Sequence, residues 1–386
     1  MRRPTKVIAG LALIAAMTGG WWALRAPAIE NRAALALPDP DIDPAATHAR
    51  REAAIALAKM PADPRSRALA LPASGPNRAV EAEHCGLEDG PQFRAPLAQD
   101  GMLEQTRAPT VRYMNAQARI DAALRSSPDP LDRAVADLIN VGDMRSAPGR
   151  DEAVVQQAVS TTDPRLYALG YGLCHSNRPV APSCRSISLE RWTQLDDGNG
   201  IPWVEMLAQA QARGDKAGIQ RATSHLASAT RFDIYLQDAA GAVASRMTED
   251  DQDLAAVDDL AFRAFSEAAT LPIPPFQPLI QVCRNHAAGD QQIAQQCIAI
   301  SDAMYAHSDN LISVAISGAL LLQTTGDASR RDAFRAERVA FAAHGSPKPG
   351  PPQCQSVRDA MHMMLRQAQI GEVQAMREAA RSPAVP

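Results

Sequence analysis

The sequence predicts an all-α protein, a right-handed α-solenoid of about six helical hairpins stapled by disulfides, on three observations. From about residue 102 onward, apolar residues recur at i, i+3, i+4 and i+7, the repeat of amphipathic helices, and nothing reads as a sustained strand. Four Gly-Asp pairs, Gly142-Asp143, Gly214-Asp215, Gly289-Asp290 and Gly326-Asp327, lie 72, 75 and 37 residues apart, close to multiples of a unit of about 36. Six cysteines supply the staples, four of them in pairs that straddle expected turns. Hydrophobic residues make up 46% of the chain but aromatics only 4%, so the core should be built from small side chains packed between close helices.

The chain opens with Arg2, Arg3 and Lys6 ahead of Val7–Leu24, an uncharged stretch that ends at Arg25. Residues 1–27 therefore read as a signal anchor or a signal peptide. Trp21 and Trp22 resemble an interfacial aromatic belt and favour an anchor in the inner membrane over residues 7–24. Ala26-Pro-Ala28 offers a small–x–small cleavage site, and cleavage near Ala28 would leave a soluble periplasmic protein. Either way the positive-inside rule places the body of the chain in the periplasm. Residues 28–80 form an Ala/Pro-rich spacer, with Pro38-Asp-Pro40, Asp43-Pro44 and Pro61-Ala-Asp-Pro64 and one short helix around 46–59. The helical-repeat domain is expected over 81–380, and 381–386 as a disordered tail.

Within that domain a helix at about 109–125 caps the array. Asp129-Pro130, Asp163-Pro164 and Asp197 follow at intervals of 34, each placed to cap the next helix. First helices of the six hairpins are expected near 129, 163, 202, 232, 276 and 309. The Gly-Asp rhythm places two further turns at Ser176-Asn-Arg-Pro179 and Thr248-Glu-Asp-Asp251. The third hairpin is the most fully written: Trp203, Met206, Leu207 and Ala210 share a face, Pro202 fits a first turn, Gly214 stops the helix and Asp215 caps its successor. Similar faces run through Leu254, Val257, Ala261 and Phe265, through Ile293, Cys297, Ile300 and Met304, and through Leu311, Val314, Gly318 and Leu321. Pro272-Ile-Pro-Pro275 breaks the array, and a helix at about 357–380 closes it.

Trp203-x3-Leu207-Ala208-x5-Gly214-Asp215, with a period of 34–38 over residues 129–343, resembles the tetratricopeptide and Sel1-like α-solenoids. Trp203 matches the large residue at the start of the family's first helix. Leu207 stands where the family has a small one, and Ile219 does not align with its second-helix alanine. The whole chain is similar to exported helical proteins of Gram-negative bacteria. The first likeness implies stacked hairpins with a concave face that binds a protein or peptide partner in the envelope; the second carries no known activity.

The cysteines are the strongest chemical signal. In an exported chain an even count points to disulfides. Cys174 and Cys184 flank the turn near 178, Cys283 and Cys297 flank Gly289-Asp290, and Cys85 is left to join Cys354. Each bridge would contribute about 2–4 kcal/mol. His84-Cys85, Cys174-His175 and Cys283-x2-His286 lack zinc spacing, and no haem or thioredoxin-like motif is present, so no cofactor is expected. Met361-His-Met-Met364 carries soft ligands suited to Cu(I), but Met361 and Met364 at helical spacing read as core. Gly-x-Ser-x-Gly, His-Glu-x2-His, phosphate loops and Glu-Ser pairs are all missing. The acidic clusters Glu249-Asp-Asp251 and Asp258-Asp259 read as solvated helix ends. A net charge of −4 gives no basis for nucleic-acid binding. The functional expectation is thus a protein- or peptide-binding scaffold, and the alternative is a cell-envelope enzyme with a scattered site. An exposed apolar groove would favour the first, a closed pocket with perturbed carboxylates the second.

Overall fold

In the computed structural model, residues 92–93, 105–107, 110–140, 147–247, 253–286, 289–345 and 354–381 are described. The expected anchor, spacer and last five residues lie outside them, as do Gly142-Asp143 and the turn at 248–251. Apart from a short antiparallel pair, β1 (Gln92–Phe93) with β2 (Gln105–Arg107), the described chain is helical.

The expected helix starts hold at five of six places. Helix α1 (Val111–Arg125) is capped by Thr110, and α2 (Pro130–Ile139) and α4 (Pro164–His175) are capped by Asp129 and Asp163 with proline in the first turn. Between them lies α3 (Ala147–Ser160). Helix α6 (Gly200–Arg213) is capped by Asn199, not Asp197, because Asn199 is the residue whose side chain reaches the Ile201 amide. Pro202 accordingly sits at the third position of α6, still within the turn whose N–H groups have no helical partner. Gly214 ends α6 in the left-handed conformation at φ 67°, and Asp215 caps α7 (Lys216–Ser228). Helices α10 (Phe276–His286), α11 (Gln291–His307), α12 (Leu311–Thr325) and α13 (Ser329–Gly345) complete the later hairpins, with Asp290 capping α11 and Gly326 ending α12 at φ 76°.

Three expectations are corrected. No helix starts near 232; residues 229–237 are an extended crossing segment that makes isolated bridges from Arg231 to Asn199 and from Phe232 to Ser308. It leads to a short helix, α8 (Asp238–Ala244), and then α9 (Leu254–Ala269). The turn near 178 is followed by a 3₁₀ turn (Pro182–Ser186) and the short α5 (Leu189–Leu195), not by a full second helix. The closing helix is two, α14 (Cys354–Ile370) and α15 (Glu372–Arg381), broken at Gly371 with φ 84°. Arg381, expected in the tail, belongs to α15.

Packing follows the chain in one half and departs from it in the other. First helices α6, α10 and α12 lie side by side, and α7 packs on α11. By contrast α9 packs on α1 and α2, while α8 lies against α2, α9 and α14. A single apolar core joins almost all of these elements, and a small separate cluster of Leu311, Val314, Phe334, Val373 and Met376 holds α15. The core is alanine-rich as expected: Ala134, Ala240, Ala256, Ala261 and Ala264 are fully buried, and a Cβ on Gly241 would lie 2.2 Å from that of Ala368, so α8 and α14 touch almost backbone to backbone.

Candidate functional site

The first turns of α2, α4, α6 and α12 meet on the crossing segment. Each carries a side chain that must cap its own helix: Asp129 accepts from the Leu131 N–H at 2.9 Å, Asp163 from Arg165 at 2.8 Å, Asn199 from Ile201 at 3.0 Å and Asn310 from Ser313 at 2.8 Å. The crossing segment satisfies its own backbone on them. The Asn199 side chain donates to the Asp233 carbonyl at 2.9 Å and accepts from the Asp233 N–H at 3.0 Å. Asn310 donates to the Phe232 carbonyl at 3.0 Å, and the Ile234 N–H donates to Asp309 at 3.3 Å. Phe232 is fully buried with its ring over Gly200, where a Cβ would come within 2.2 Å.

This crossing gathers six aspartates, Asp129, Asp163, Asp196, Asp233, Asp238 and Asp309, around two arginines. Arg165 donates to Asp163 at 2.6 Å and to Asp129 at 3.0 Å, and these bonds hold its guanidinium firmly protonated. Arg231 pairs with the fully buried Asp196 and lies 3.5 Å from Asp233; burial opposes its charge and Asp196 more than offsets that cost. Tyr235 donates to Asp196 at 3.0 Å from a left-handed backbone at φ 55°, a conformation a tyrosine adopts only when its surroundings compel it.

The carboxyls left over are destabilised as anions. Burial, then the charges of Asp233, Asp163 and Asp129, push Asp238 up to about 7 against the pull of Arg165. Asp309 is raised well above the usual carboxylate range by burial and by Asp233 and Asp238. Pro130, Thr162, Asp163, Pro164, Arg165, Arg231, Asp233 and Tyr235 line an open depression of about 580 Å³ at this crossing. Chemically the arrangement offers an open seat lined by Asp163, Asp233, Arg165, Arg231 and the Tyr235 ring, with a proton donor near neutral pH, Asp238, beside it.

The residues singled out from sequence fall elsewhere. Cys174–Cys184 and Cys283–Cys297 are disulfides, with Cα separations of 5.4 and 5.7 Å. The second joins α10 to α11 across Gly289-Asp290 as expected. The first ties the 3₁₀ turn back to the end of α4, because that hairpin has no second helix for it to staple. Cys354 is disulfide-bonded too, and its expected partner Cys85 lies outside the described residues. Met361 and Met364 are buried in the main core, with His362 exposed. Trp203 is half-buried, packs against the main core and stacks on His225 at 3.7 Å. Asp259 is not a solvated helix end: it accepts from Gln117 at 3.0 Å and so fastens α9 to α1. Among the described residues the large exposed apolar side chains are Val111, Met114, Val180, Ile273 and Val339, none of them aromatic.

Sequence reasoning missed Arg231-Phe-Asp-Ile-Tyr235 and Asp238. The available signal was a dense charged and aromatic run that breaks the i, i+3, i+4 pattern where a helix was expected. Among the described residues no helix is long and apolar enough to cross a membrane. No family model, curated protein or solved structure matches the chain.

Proposed function

We propose that this chain is a periplasmic binding scaffold, held at the inner membrane by residues 7–24, that recognises a protein or peptide partner through a cationic side chain seated in the depression at the crossing segment. The observation that carries the reading is that the two arginines lining the seat, Arg165 and Arg231, are already bonded to Asp163, Asp129 and Asp196, so that Asp163, Asp233 and the Tyr235 ring face an open depression backed by further carboxylates. A lysine or arginine entering it would meet Asp163, Asp233 and the Tyr235 ring beside Arg165 and Arg231, whose charges are offset by the carboxylates they pair with. A right-handed superhelix of period about 36 is proposed with it, supported by the stacking of α6, α10 and α12, whose first residues are 200, 276 and 311.

The test is titration calorimetry of the purified periplasmic domain with a lysine- and arginine-containing peptide and with its glutamate-substituted counterpart. The basic peptide should bind and the acidic one should not, and Asp233→Asn should weaken binding about tenfold, as loss of one charge contact implies. Equal binding of the two peptides would sink the proposal. The second reading, a cell-envelope enzyme, draws on Asp238, which carries a proton near neutral pH. The open form of the depression supports it less, because water would screen the charges on which such a site depends.

A further inference from the structure

Asp196 lies beneath the depression without lining it: the residue closes α5 and is fully buried. Its two carboxylate oxygens meet only donors. Oδ1 accepts from the Arg231 guanidinium, while Oδ2 accepts from the Asn199 side-chain amide at 2.8 Å and from the Tyr235 hydroxyl at 3.0 Å. The same Asn199 nitrogen donates to the Asp233 carbonyl, and the Asn199 oxygen accepts from the Asp233 N–H at 3.0 Å, so Asp196 decides which way that amide faces. Three of the eight residues around the depression, Arg231, Asp233 and Tyr235, are therefore held from behind by one carboxylate. Arg231 is the one of them placed to swing. Its backbone is pinned, the N–H to the Gly198 carbonyl at 3.2 Å and the carbonyl to the Gly200 N–H at 2.8 Å. Its side chain is 41% exposed and stands 3.5 Å from Asp233, which lines the depression.

We propose that Asp196 is the positioning residue that sets the charge preference of the depression: by holding Arg231 back, it leaves the seat to a cationic partner. This role rests on the depression being a seat for a lysine or arginine side chain. Accepting from all three donors takes a carboxylate, because an amide of the same shape offers one oxygen and one NH2. In Asp196→Asn the amide oxygen is needed by Asn199 and Tyr235 together, and the NH2 then faces the Arg231 guanidinium, donor against donor. Released from that bond, the guanidinium turns to Asp233, one of the two carboxylates a basic side chain would meet, and brings an unbalanced positive charge to the lining. The change expected is one of selectivity. Affinity for a basic peptide falls and affinity for an acidic one rises, whereas damage to the shape of the seat would weaken both together.

Calorimetry on the full-length protein with the lysine- and arginine-containing peptide and its glutamate-substituted counterpart tests this as a double-mutant cycle. The ratio of the two affinities, basic over acidic, should fall by about tenfold or more in Asp196→Asn, as one unbalanced charge beside the ligand implies. Adding Arg231→Gln should bring the ratio back to within about threefold of the parent value, because the charge set loose is then gone. Arg231→Gln alone leaves Asp196 without its cation, so it should raise the ratio about threefold or more, and it serves if Asp196→Asn does not fold. A parent protein that bound the two peptides equally would sink the seat itself, and this role with it. Discrimination in the parent with a smaller fall in Asp196→Asn, both affinities dropping together, no recovery in the double variant, or an unchanged or lower ratio in Arg231→Gln would overturn the role of Asp196 alone.

Discussion

At the scale of single residues, contact distance decides which small side chains matter. Gly200 and Gly149 are indistinguishable as letters in a helix. A Cβ on Gly200 would fall 2.2 Å from the buried Phe232 ring, while one on Gly149 would meet nothing within 4 Å. Gly200→Ala should therefore cost about 1–3 kcal/mol in urea denaturation, the usual penalty of overpacking. Gly149→Ala should change stability by less than about 1 kcal/mol and in the stabilising direction, through helix propensity. Protons act at the same scale. The folded state raises Asp238 from the ordinary carboxylate range to about 7. Its contribution to stability is therefore complete below about pH 4, where the unfolded chain also keeps the proton, and drains away as the pH rises through 7. Urea midpoints taken at pH 5 and pH 8 should fall across that interval, and Asp238→Asn should flatten the fall.

At the scale of elements, what could be read early is what the chain encodes locally. Asp129-Pro130, Asp163-Pro164, Gly214-Asp215 and Gly326 mark ends because a cap needs only a side chain and its own next turn. The Cys283–Cys297 bridge was legible for the same reason, its two cysteines flanking a marked turn. Replacing both by serine should cost about 2–4 kcal/mol in the oxidised protein and nothing under reduction; guanidinium melts with and without a reductant check it. The Cys174–Cys184 hairpin was misread because Pro179 and Pro182 stop a second helix from forming, leaving a 3₁₀ turn in its place. Local text also failed at 229–237. The segment has no secondary structure of its own, and its backbone donors and acceptors are met by Asn199, Asp309 and Asn310, far away in sequence.

For the whole molecule, the arrangement of α1, α2, α8 and α9 changes what unfolding should look like. A one-dimensional stack frays repeat by repeat. Here α9 closes against α1 and α2, with Gln117 bonded to Asp259, Arg246 paired with Asp132, and Arg178 reaching Glu267 at 2.5 Å. Removing the chain through residue 125 should accordingly raise exchange of the α9 amides at least tenfold while leaving α12 and α13 as they were. Exchange confined to the truncated end would show instead that only sequence neighbours support one another.

The sequence by itself determined that the chain is helical, where most helices begin and end, and which cysteines staple α10 to α11, because caps, glycine stops and apolar periodicity act over one or two turns. Tertiary structure alone decided that α9 folds back on the first helices and that the capping residues Asp129, Asp163, Asn199 and Asn310 become the walls of one acid-rich edge. The physical reason is that a cap is specified by its own helix, whereas the electrostatic character of an edge depends on which other caps are brought beside it. Asp238 and Asp309 look like any solvated aspartates in the sequence; burial beside four more carboxylates makes them proton carriers.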